Sequence, residues 1–160
     1  MNKNLFYTVT RWVIVLAAVI SLGVGGGSNS VSKADPMDVV AAVTAEMDMS
    51  QMLSGDNQLI RRFYGLDPAQ FESCTLYYPT TNMMAEELLI VKLKDLSQQE
   101  AVKAAARKRI DTQKTTFEGY GVEQFEMLTS NAVIEVRGNY VLFVVAPNSA
   151  AVRKAFLKAL

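Results

Sequence analysis

Hydrophobic and polar residues along the chain fall into two regimes, and the first is short. Between Trp12 and Val24 every residue is apolar or small. This run is entered through Lys3 and Arg11 and left through Gly25-Gly26-Gly27-Ser28. Thirteen such residues behind a positive N-terminus match the hydrophobic stretch of a secretory leader, whereas a full membrane span needs about 20. Extending the run back to Leu5 reaches span length and takes in Arg11, whose stem can snorkel to the cytoplasmic headgroups. Both readings keep the positive side in and send everything after Gly25 out. Ser32-Lys33-Ala34 offers small residues at the −3 and −1 positions of a cut, and Gly26 through Ser30 offers others, so cleavage and retention as a single anchor both stay open. Residues 1–34 are therefore expected to be a signal or anchor segment with a Gly/Ser-rich tether, and 35–160 a single extracytoplasmic domain.

The second regime alternates helical and strand periods. Asp35-Pro36 is an N-cap followed by proline, and Val39, Val40, Val43 and Met47 then recur at helical spacing. A second short helix is predicted from Asp56, as cap, through Leu59, Ile60 and Phe63 to Gly65. Asp67-Pro68 starts one more turn. Strands are predicted over 73–78 and 86–94, the latter with Leu89, Val91 and Leu93 on one face and Leu88, Ile90, Lys92 and Lys94 on the other. Ser97-Gln98-Gln99-Glu100 reads as a capping box opening the longest helix, lined by Val102, Ala106, Ile110, Gln113 and Phe117 and stopped by Gly119 and Gly121. Val122, Phe125 and Leu128 suggest a short helix. Strands over 132–136 and 140–145 flank Gly138-Asn139, a hairpin signal, and a last helix carries Val152, Phe156 and Leu160. The order after the leader is two helices, then ββα twice. That pattern predicts an α+β fold: a two-layer sandwich with a roughly four-stranded antiparallel sheet and helices on one face.

Composition narrows the chemistry more than it assigns it. Residues 36–160 hold thirteen Lys and Arg against fifteen Asp and Glu, which is no footprint for nucleic acid. The chain has no histidine, which removes the commonest general base and nearly every zinc site. Cys74 is the one cysteine, so no internal disulfide forms; a buried thiol or a bridge between chains remains. No phosphate-binding glycine loop, nucleophile elbow or Cys-x-x-Cys occurs, and no cofactor is expected.

Three groups of side chains invite a functional reading. Lys103, Arg107, Lys108, Arg109 and Lys114 form a basic cluster, interrupted by Asp111, that reads as a solvated face or as an anion contact. Met47, Met49 and Met52 bring three thioethers together, as core filler or as soft-metal ligands. Glu86-Glu87 and the pair Glu123 and Glu126 supply carboxylates, but strand neighbours point to opposite faces, so Glu86 and Glu87 cannot share one substrate.

Several stretches resemble an uncharacterised bacterial envelope family known as domain of unknown function 4358. They are Phe63-Tyr64-Gly65-Leu66-Asp67, Ala85-Glu86-Glu87 running into Ile90-Val91-Lys92, Arg109-Ile110-Asp111-Thr112-Gln113-Lys114 with Phe117 and Tyr120, and Gly138-Asn139-Tyr140-Val141-Leu142. The likeness spans nearly all of 36–158. It implies an envelope address and one domain, and it brings no activity or catalytic residues. Members usually look like lipoproteins or singly anchored proteins, and this chain lacks the lipid-acceptor cysteine. Among the matching residues Arg109, Gln113 and Tyr120 lack a plain structural role: they line a surface groove, or Arg109 pairs with a strand carboxylate such as Glu86.

The functional expectation is a non-catalytic domain of the cell envelope, anchored to the cytoplasmic membrane through its N-terminal segment or secreted, that binds an envelope protein or ligand. Two alternatives stand beside it: a small carboxylate-dependent hydrolase of wall polymers, and a soft-metal binder built on the methionines.

Overall fold

A computed structural model describes residues 30–160, so the expected leader between Trp12 and Val24 lies outside the described residues. Helix α1 (Pro36–Thr44) is followed by strand β1 (Met52–Gly55), helix α2 (Asn57–Tyr64), β2 (Ser73–Pro79) and β3 (Glu87–Lys92). Helices α3 (Gln99–Phe117) and α4 (Val122–Ser130) then lead into β4 (Ala132–Arg137), β5 (Tyr140–Val145) and α5 (Ser149–Ala159). The five strands form one antiparallel sheet in the order β1-β2-β3-β5-β4.

Local chemistry explains most boundaries. The Asp35 carboxylate accepts from Met37 N at 2.8 Å and Asp56 from Leu59 N at 2.8 Å, each closing an open helix start. Gly65 ends α2 at φ 67°, a left-handed conformation that costs glycine nothing. The capping box lies two residues earlier than Ser97 predicts. Asp95 accepts from Ser97 N at 2.7 Å, and Gln98 Oε1 accepts from Asp95 N at 3.1 Å. A 3-10 turn (Leu96–Gln98) therefore precedes α3.

The α+β class holds, with two corrections to its details. The sheet has a fifth strand, because β1 adds to the outer edge of β2 in the register Met52↔Pro79 to Gly55↔Leu76. Helices cover both faces of the sheet, not one. Ile60, Tyr64, Leu76, Leu89, Val91, Val102, Ala106, Phe117, Val141 and Phe143 pack together beneath α2, α3 and α4. On the other face Val39 and Val43 of α1 and Val152 and Phe156 of α5 cover Leu88, Ile90, Tyr140, Leu142 and Val144. Strands β3 and β5 are buried at every position, and a strand with apolar side chains on both sides needs a cover on both.

The chain enters this fold at one end of the sheet. Ser32 N donates to Asn139 Oδ1 at 2.8 Å, and the Ala34 carbonyl accepts from Tyr140 Oη at 2.8 Å and Lys92 Nζ at 3.1 Å. Gly138, at φ 55°, lets that segment cross the β4–β5 turn, since a Cβ there would sit 2.1 Å from the Ser30 carbonyl oxygen. Lys92 and Tyr140 pair across the sheet, as Glu87 and Val145 do five residues away. At the rise of a strand the two ends stand about 17 Å apart.

Candidate functional site

A buried carboxylate organises the end of the sheet away from the entry point. Glu87 shares a face with Leu89 and Val91, beneath α3, and is fully buried. Three side chains from two helices answer its charge. Arg109 of α3 donates Nε at 2.9 Å to Oε1 and Nη2 at 2.6 Å to Oε2, Gln113 one turn later donates Nε2 at 3.0 Å to Oε2, and the Tyr64 hydroxyl of α2 donates to Oε1. The Arg109 guanidinium also lies over the Phe63 ring, 4.1 Å from its centre, a cation–π contact.

Burial alone would lower the pKa of Arg109, but the hydrogen bonds and charge of Glu87 outweigh it and hold the guanidinium above its usual range. Burial, and then the Glu87 charge, push Tyr64 well above the usual tyrosine value. Arg109 and Tyr64 are thus both held in their protonated forms beside the Glu87 carboxyl. The cluster is a clamp joining β3, α3 and α2, with donors from three side chains converging on one anion.

Above the clamp lies a groove of about 460 Å3. Phe63 of α2, Tyr78 and Pro79 of β2, and Thr116 and Phe117 of α3 line it, together with Arg109 and Gln113. The β2–β3 connection adds Thr80, Thr81, Asn82 and Met84, and Arg62 is its other charged residue. Gln113 is 6 % exposed, and its Oε1 has no hydrogen-bond donor among the described residues. Turning the amide over would not help, because Oε1 would then face the Glu87 carboxylate.

The structure brings Arg109 and Gln113 together and leaves Tyr120 out. Tyr120 is 57 % exposed and tilts against Phe117 at 6.0 Å, beyond Gly119 at φ 86°, and it is not among the residues that line the groove. The partner of Arg109 is Glu87, not Glu86. Strand alternation is the reason, since Glu87 and not Glu86 points to the face that α3 covers. Tyr64 and Phe63 were the residues sequence reasoning missed. The i,i+4 pair Ile60 and Tyr64, both buried, was the available signal, because it turns Tyr64 toward the sheet.

The remaining candidates lie elsewhere. Lys103 pairs with Glu100 at 2.6 Å on the outer face of α3, an ordinary exposed ion pair. Met47 packs against the core beneath α1 and α5, and with Met52, Asp48 and Glu86 it lines a cleft of about 310 Å3, of which Met49 is not a lining residue. In that cleft Glu86 is raised above the usual carboxylate range, first by burial and then by the Asp48 charge, while hydrogen bonds from the Ser50 side chain and backbone lower Asp48. Glu123 and Glu126 border a separate shallow depression beside α4. Among the described residues no helix is long and apolar enough to cross a membrane, and no group of three or more Cys, Asp or Glu side chains is placed to hold a metal.

Cys74 lies half-buried on β2 against the core, and burial pushes its thiol from 9.0 up to about 12. Tyr64 is raised in the same way. Lys92 is raised by its hydrogen bond to Glu72, which outweighs its burial. In all three cases the folded chain holds a proton that the unfolded chain releases at lower pH. Their contribution is present in full below about pH 9 and is lost as pH rises. The thermal midpoint should therefore fall from about pH 9 upward, and Cys74→Ala should move that onset toward pH 10. An onset that Cys74→Ala leaves in place would mean the thiol titrates freely.

Comparison with known proteins gives a family. The model described as "Domain of unknown function (DUF4358)" matches residues 45–146. That span takes in all five strands and helices α2 to α4, leaving α1 and α5 outside, so it is shorter than the likeness traced along the sequence. None of the curated proteins matches, and neither does any solved structure.

Proposed function

The chain belongs to the family described as domain of unknown function (DUF4358), and we propose that it is a non-catalytic binding module of the cell envelope, carried on the outer side of the cytoplasmic membrane by its N-terminal segment. A partner or ligand occupies the groove over Gln113. Gln113 carries this reading: a buried acceptor without a donor costs about 1–3 kcal/mol, and a group entering the groove is placed to relieve it. The clamp beneath supports a binding role over a catalytic one. Glu87 is saturated by Arg109, Gln113 and Tyr64, so among the described residues no carboxylate at the groove is free to move a proton. The position of the groove also suits a tethered module. The chain enters at the Asn139 end of the sheet and the groove opens at the opposite end.

A photoreactive residue at Thr81, on the groove rim, tests this in intact cells producing the full chain. The expected result is a discrete heavier adduct from Thr81 and none from the same residue placed at Lys158 on α5. Equal adducts from both positions, or none from Thr81, would contradict the reading.

One observation favours a second reading. Glu86 and Asp48 share a cleft and are shifted in opposite directions, which is how paired carboxylates divide the acid and base roles of hydrolysis. Asp48, however, is open to solvent, where screening weakens what a charge can do for a transition state. Release of soluble fragments from wall polymer by the wild type but not by Glu86→Gln would establish the hydrolase.

A further inference from the structure

The lining of the groove selects among ligand classes by charge, hydrogen bonding and shape. Among the described residues Arg62 and Arg109 are its charged lining and no carboxylate lines it, and Arg109 is neutralised by Glu87. A cation would meet Arg62 with nothing to offset it, so the ligand is neutral or anionic. Thr80 and Thr116 donate their hydroxyls to Gln51 Oε1 and to the Thr112 carbonyl and keep lone pairs to accept with. Thr81 Oγ1 accepts from Met83 N and keeps its proton to donate, and the Asn82 amide can do both. A hydrocarbon chain would strip water from the hydrogen-bonding positions that these groups leave unused and put nothing in its place. A peptide joining the sheet needs a free edge of strand length, and β2 pairs with β1 through Tyr78 and Pro79 and with β3 up to Tyr77. What remains is a compact molecule ringed by hydroxyls with an apolar face for an aromatic side chain. The half-buried Tyr78 supplies that side chain. At about 460 Å3 the groove falls in the usual range of small-molecule sites, about 300–1,000 Å3.

Resting on the binding reading above, we propose that the groove is a carbohydrate site: a sugar ring lies against Tyr78, one of its hydroxyls donates to Gln113 Oε1, and others meet Thr80, Thr81, Asn82 and Thr116. Arg62 at the margin favours sugars carrying a carboxylate over neutral ones.

Calorimetric titration of the full chain in lipid nanodiscs, free of glucoside detergents, tests this with two probes, chitotriose and trigalacturonate. Saturable binding of at least one is expected, with trigalacturonate weakened by salt and by Arg62→Ala. Tyr78→Leu and Gln113→Leu should each weaken binding about tenfold, as loss of one good contact does, and Lys158→Ala should leave it unchanged. Melting curves identify a variant that has failed to fold, and Tyr78→Leu, which leaves the Glu87 clamp intact, then decides alone. If neither trisaccharide binds while Thr81 still forms its adduct in cells, the sugar assignment is overturned and the binding reading survives. Binding that persists unchanged in both groove variants overturns the site.

Discussion

Replacing Arg109 by alanine is expected to destabilise the fold by about 3–5 kcal/mol, read as a shift in the urea unfolding midpoint. Glu87 is fully buried, and Arg109 supplies the charge that offsets it through paired contacts at 2.9 and 2.6 Å. Removing one partner leaves a carboxylate in the core with only two neutral donors, Gln113 and Tyr64. The Phe63 ring loses the guanidinium stacked on it as well. Glu87→Gln should cost less, about 1–3 kcal/mol, because an amide can still accept from Tyr64 and Arg109 borders the groove. The double variant Glu87→Leu with Arg109→Met should recover most of the loss, since buried ion pairs can often be replaced by apolar packing. Such a stable double variant that no longer forms the Thr81 adduct would show that the clamp shapes the groove as well as holding the core.

Phe156→Ala should cost about 3–5 kcal/mol by the same measurement. Phe156 is fully buried and meets Tyr140 edge to face at 6.4 Å, and with Val152 it seals the side of the sheet formed by Leu88, Leu142 and Val144. The DUF4358 match ends at residue 146, before this helix. The expected loss therefore measures how far the second layer of helices belongs to the cooperative fold. A cost below about 0.5 kcal/mol, the usual range for surface positions, would mean that α5 is an appendage.

Much of this architecture was legible along the chain, and the exceptions have physical causes. The hairpin at Gly138, the caps at Asp35 and Asp56, and the stop at Gly65 are local devices, and each lies where its residues predict. The second helical layer was overlooked although the signal was present. Val141 to Val145 and Leu88 to Val91 are apolar on both sides, and strands facing water on one side alternate instead. Strand β1 had no such signal. Met52-Leu53-Ser54-Gly55 lacks β-branched residues, and it is a strand because β2 offers it an edge. At the site, Arg109 and Gln113 stand one turn apart on α3, so their meeting follows from helical spacing. Their partners do not: Glu87 and Tyr64 arrive from β3 and α2, and only the packing of three elements brings them into contact.

The most direct test of the account is where the groove faces in the cell. In the full chain carrying Cys74→Ala, a cysteine placed at Thr81 would be offered a membrane-impermeant thiol reagent in intact cells. Labelling before lysis, to the same extent as after it, is the predicted result. Labelling that requires lysis would place the groove inside and contradict the account.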